Sequence, residues 1–93
     1  MDCWHREIDK AGSEDEVVTG AKDYLVLWSP HELKTLTHED RAPKIDNGTD
    51  IVRLERRLAE GCYDMPPQSE HFEELVTYFW HAATRIRELR QTA

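Results

Sequence analysis

The strongest pattern in the chain lies in its last third. Phe72, Phe79 and Ile86 are spaced by seven residues, and so are Leu75, Ala82 and Leu89. Gaps of three and four over three heptads put these side chains on one face only if residues 69–91 are helical. Pro66 and Pro67 prevent a helix from entering from the left. Ser69 follows as an N-cap. Glu70, Glu73 and Glu74 occupy the first turns and Arg85, Arg87 and Arg90 the last, which matches the helix dipole at both ends. Val76 and Ala83 widen the stripe beyond a coiled-coil seam, so the helix is expected to pack inside a domain. Trp80 falls about 100° from Phe79 and off the stripe, with Tyr78 on the opposite flank. Either another helix of the same chain covers Trp80, the preferred reading because Trp is usually well buried, or it belongs to a partner surface. The same choice applies to Tyr78.

Earlier segments carry shorter patterns. Trp4, Ile8 and Ala11 have helical spacing, with Gly12 as a stop; a frayed terminus is the alternative reading of residues 1–12. Ser13 followed by Glu16 forms a capping box, predicting a helix to about Trp28 through Val17, Val18, Ala21, Tyr24 and Leu25. Residues 24–28 also read as a β-prone run, but nothing in the sequence pairs with it and a lone strand leaves its backbone unsatisfied. Ser29-Pro30-His31-Glu32 is a second capping box with Pro at the first helical position, predicting a short helix over 30–36 with Leu33 and Leu36 inward. Thr37 is expected to cap a further turn, with Asp40 reaching back. Residues 41–48 read as loop. Thr49 or Asn47 then caps a helix from about Asp50 to Glu60, with Ile51, Leu54 and Leu58 buried and Gly61 as its stop. The fold expected is a single all-α domain: a small helical bundle of three main helices plus one or two short ones around one core.

Composition narrows the function more than it names it. The 93 residues carry a formal net charge of −7. Residues 1–40 hold ten acidic and four basic groups, whereas residues 41–93 hold nine and eight. This balance argues against general nucleic-acid binding, which relies on a positive patch. No apolar run approaches a membrane span, and the first residues do not resemble a signal peptide. A cytoplasmic location with Cys3 and Cys62 reduced is therefore expected.

Catalytic and metal chemistry find little support. Five histidines and two cysteines lack Cys-x-x-Cys, His-Glu-x-x-His or Glu-x-x-His spacing. His71 and Glu74 could share an ion, but solvated histidines are the simpler expectation. Asp46–Asp50 resembles a turn and helix cap more than a calcium loop. Cys62, Asp64 and His71 form the nearest approach to a thiol site, yet they straddle Pro66-Pro67, and Cys62 reads as a small apolar residue at a helix end. No cofactor is expected. Arg53, Arg56 and Arg57 on one helix and Arg85, Arg87 and Arg90 on another would form a basic patch if the faces adjoin; pairing with Glu60, Glu88 and the acidic N-terminal helix is the plainer alternative.

The expected function is a non-catalytic module that binds another protein or a second copy of itself, through a surface containing Trp80, Tyr78, Arg87, Arg53 and Arg57. The alternative is an acidic inhibitor or nucleic-acid mimic that presents Glu14, Asp15, Glu16, Asp23, Glu39 and Asp40 to a basic cleft. A third is a small metal-binding protein or enzyme.

Overall fold

The computed structural model describes residues 3–38 and 40–92. Five helices run through them: α1 (Cys3–Lys10), α2 (Glu14–Leu25), α3 (Pro30–Thr37), α4 (Gly48–Ala59) and α5 (Glu70–Thr92). There is no strand among the described residues. With 23 residues, α5 is about 35 Å long, which matches the molecule's longest dimension of 36 Å. Helices α1, α2 and α4 all pack on it, α2 also meets α4, and α3 packs on α4.

The heptad stripe faces inward along its middle. Leu75, Phe79, Ala82, Ala83 and Ile86 are buried, whereas Phe72 and Leu89 are half-buried at the two ends. Tyr78 is also buried, in a stacked pair with Tyr24 of α2 whose ring centroids are 3.7 Å apart. Trp4, Trp28 and Phe79 meet Tyr24 edge-on. Phe79 thus sits where three helices converge, and Ile51, Leu54 and Leu58 of α4 complete the same core.

Local chemistry sets the helix ends. The Ser13 hydroxyl accepts from the Glu16 N–H at 3.3 Å, and the Glu16 carboxylate accepts from the Gly12 N–H at 2.8 Å, one residue earlier than a capping box requires. The box at Ser29 and Glu32 is complete. At α4 the cap is Asn47, whose side chain accepts from the Asp50 N–H. That helix closes with Gly61 at φ +88°, the Gly61 N–H donating to the Leu58 carbonyl and the Cys62 N–H to the Arg57 carbonyl. This is a Schellman closure, and the left-handed residue it needs is a glycine. Ser69 precedes α5, its carbonyl accepting from the Glu73 N–H.

Three expectations need correction. Helix α2 stops at Leu25, not near Trp28. The N–H groups of Leu27 and Trp28 instead donate three residues back, to Tyr24 and Leu25, in a tight turn. Pro30 holds Ser29 in extended backbone, so no helix runs through into α3, and residues 26–28 close in this tight turn ahead of it. Val26 and Leu27 are left 81% and 62% exposed. Second, Thr37 ends α3 and does not cap another turn: its hydroxyl donates to the Leu33 carbonyl, and His38 takes the left-handed conformation. Two C-terminal carbonyls of α3 are met from outside, Thr37 by Arg57 and Thr35 by the Asp64 N–H. Glu39, beside this turn, lies outside the described residues. Third, Cys62 is exposed after the Schellman turn and is not a packed helix-end residue.

Candidate protein interaction surface

The sequence places α1 and α2 as two amphipathic helices joined by Ala11-Gly12-Ser13. Their buried faces, Ile8 with Ala11 and Val17 with Val18, Ala21 and Tyr24, turn toward α5 and the core. Between their outer flanks runs a groove of about 570 Å³. Trp4, Ala11, Thr19 and Gly20 form its less polar surface. Glu7, Asp15, Glu16 and Asp23 line it together with Lys10, so four carboxylates face one ammonium. The helical repeat produces this arrangement: Asp15 and Thr19, and Glu16 and Gly20, stand one turn apart. A Cβ built at Gly20 would meet nothing within 4 Å, so the space beside this position is open.

Helix α1, one wall of the groove, is fastened by two α5 residues. The His81 Nε2–H donates to Asp9 at 2.8 Å, and His81 Nδ1 lies 2.6 Å from His5 Nδ1. A carboxylate can only accept, so in a neutral His81 the proton sits on Nε2 and Nδ1 is the acceptor. His5 is then the Nδ1–H tautomer, donating to His81. The His81 ring also stacks on His5 and bridges successive turns of α1. One turn further along α5, Arg85 donates to the Ala11 carbonyl at 2.8 Å, at the C-terminal end of α1. His5 and His81 are therefore half-buried structural groups, not the solvated histidines expected. Seventy-six residues separate them, and nothing in the local pattern links the two.

A second cluster ties α2 to the far ends of α4 and α5. Arg90 donates to Glu14 at 2.6 Å and to the Thr49 hydroxyl at 3.2 Å. The Arg90 hydrogen bond holds the Glu14 carboxyl below its ordinary range; slight burial opposes this, and the Arg90 charge and the Gly48 N–H reinforce it. Gly48 gives Glu14 room, since a Cβ there would lie 2.6 Å from the Glu14 Cδ.

The residues expected to share one surface are distributed otherwise. Tyr78 belongs to the core at 1% exposure and is removed from the candidate surface. Its pairing with Tyr24 explains this, and burial pushes both phenols up. Trp80 is 59% exposed, so the preferred expectation that another helix covers it fails. Helices α1 and α2 take the Tyr78 side of α5, α4 takes the other, and α3 packs on α4. Arg87 pairs with Glu55 of α4 at 3.3 Å. Arg53 and Arg57 lie on the opposite flank of α4, about 160° from Glu55, along the pocket lined by Pro43, Lys44 and Ile45. The two arginine groups thus form no common patch. Arg85 faces Glu88 and Arg90 binds Glu14 of the acidic N-terminal helix, as the pairing alternative expected, whereas Arg53 faces Asp50 and Arg87 faces Glu55, which it did not name.

The thiol set does not assemble: Asp64 pairs with His38, while His71 packs against Trp28. Among the described residues no three His, Cys, Asp or Glu side chains are placed to hold a metal ion. Nor is any helix among them long and apolar enough to cross a membrane. Comparison with protein-family models, with curated proteins and with solved structures finds no match to the chain.

Proposed function

We propose that the chain is a non-catalytic protein-interaction module whose groove between α1 and α2 receives a basic, partly apolar segment of another protein. The observation that carries this reading is the groove itself, with an indole in its wall and four carboxylates against one lysine. An arginine or lysine stem can lie along Trp4 while its charged head meets Asp15 or Asp23. The chain's net charge of −7 would steer such a partner in. In this reading α2, α4 and α5 are the frame of a three-helix bundle, and α1 and α3 are short helices laid on it. Two exposed free thiols, Cys3 and Cys62, suit a reducing compartment such as the cytoplasm.

The same geometry favours receiving a basic segment over insertion into a basic cleft. Of the acidic residues that a mimic would present, Asp15, Glu16 and Asp23 line a concavity, and Glu14 is engaged by Arg90. Asp40 is exposed beyond α3. A mimic needs its charges displayed on a convex face. Trp80, at 59% exposure, is the kind of residue that anchors interfaces and offers a second contact to another protein or a second copy.

The test is calorimetric titration with an amphipathic lysine–leucine peptide at rising salt, for the wild type and for Asp15→Asn/Asp23→Asn. Binding by the wild type that weakens with salt and is lost in the double variant supports the proposal. Equal binding by both proteins, or none by either, refutes it.

A further inference from the structure

The Nδ1 atoms of His5 and His81 lie 2.6 Å apart, too close for two ring nitrogens without a proton between them. The other His81 nitrogen is committed, its Nε2–H donating to Asp9 at 2.8 Å. The pair therefore has a countable capacity for protons. With His5 as the donor, a first added proton goes to His5 Nε2 and leaves both hydrogen bonds in place. A second goes to His81 Nδ1, which is the acceptor itself. Two N–H groups then face each other, and two imidazolium rings with centroids 4.9 Å apart share the Asp9 carboxylate.

Both elements packed on α1 contribute to the surroundings of the pair. From α5, Tyr78 meets His5 edge-on with centroids 6.0 Å apart, and Arg85, which faces Glu88, adds a positive charge one turn beyond His81. From α2, Tyr24 stacks on Tyr78; burial pushes both phenols up, so they stay neutral throughout. Asp23 of α2, whose charge acts on the Tyr78 phenol, lines the groove with Glu7 and Lys10 of α1, and Arg6 is exposed. The two ends of α1 are held differently. Ala11 is buried and its carbonyl accepts from Arg85. At the other end Trp4 meets Tyr24 edge-on at 5.7 Å, and the histidine contact fastens that end to α5.

We propose that the His5–His81–Asp9 contact is a proton-operated latch: α1 stays docked while the pair holds at most one added proton, and its Trp4 end lifts away when both imidazoles are charged. The released helix binds more protons than the docked one, so docking weakens as pH falls. Imidazoles take up their protons between about pH 8 and about pH 5, so the latch works in the physiological range. Trp4, Glu7 and Lys10 line the groove between α1 and α2, so release dismantles one of its walls. The latch does not depend on what that groove receives.

The experiment follows the full chain by nuclear magnetic resonance from about pH 7.5 to about pH 5. The His5 and His81 ring signals report proton uptake, and Overhauser contacts between Trp4 and Tyr24 report docking. The exposed Trp80 indole serves as a reference on α5. The two rings should titrate in separate steps, with the Trp4–Tyr24 contacts surviving the first and lost with the second. Amide exchange in α1, corrected for its intrinsic pH dependence, should quicken about tenfold relative to α5, as for loss of one hydrogen bond to a charged group. In His5→Asn the side-chain amide can donate to a neutral His81 or accept from a charged one, so α1 should stay docked across the whole range. The wild-type comparison needs no variant to fold. Contacts that persist with both rings charged, that fail with the first proton, or that stay unchanged down to about pH 5 would overturn the proposal, as would release of α1 in His5→Asn with the wild-type pH profile.

Discussion

Replacing Gly20 separates the stability of α2 from the openness of the groove. Gly20 lies in the interior of α2, where glycine costs about 0.5–1 kcal/mol relative to alanine. A Cβ at this position meets no atom within 4 Å, so alanine adds no strain. Gly20→Ala should therefore stabilise the domain by about 0.5–1 kcal/mol, mainly by restricting the unfolded chain. For a domain of this size that is a rise in Tm of about 2–8 °C. Thermal unfolding by circular dichroism measures it. Gly20→Phe tests the other half: its ring should fill the groove beside Trp4, leave the fold intact and abolish binding of the lysine–leucine peptide. A Tm at or below wild type for Gly20→Ala would mean that this flank of α2 is not open. Unchanged peptide binding by Gly20→Phe would mean that the groove is not where the peptide sits.

Other substitutions probe the framework. Phe79→Ala empties a site with 0% exposure at the meeting of three helices and should cost about 3–5 kcal/mol in denaturant unfolding. Trp80→Ser, at 59% exposure, should change stability by no more than about 0.5 kcal/mol in the same assay. His81→Ala removes both contacts to α1, at about 1–2 kcal/mol, and hydrogen exchange should show α1 losing protection while α5 keeps it. The Glu14 carboxyl is depressed below 4.5 when folded, so its contribution is full above its unfolded pKa and fades as pH falls through the folded value. The Tm gap between wild type and Glu14→Gln should accordingly close in acid.

What could be read from the residues was what is local. The seven-residue stripe of α5, the capping box at Ser29 and the glycine closure after α4 each depend on a few neighbouring side chains, and each formed. Trp80 and Tyr78 show the limit. A helical wheel puts both off the stripe, but which flank is covered depends on where α1, α2 and α3 dock, and no periodicity records that. The groove is illegible for the same reason: Glu7 and Asp23 become neighbours only when two helices lie side by side. The His5–His81–Asp9 clamp joins residues from opposite ends of the chain, and its histidines carry no spacing that marks them. The end of α2 is only partly legible: Pro30 forbids continuation past Ser29, but the apolar run through Trp28 keeps helical spacing and hides the stop at Leu25.

Chemical-shift mapping with the lysine–leucine peptide tests the groove most directly. Saturable shifts centred on Trp4, Thr19, Gly20 and Asp23, collapsing at high salt, are expected. Shifts confined to Trp80 or to Val26 and Leu27, or a spectrum the peptide leaves untouched, would contradict a groove built to receive a basic segment.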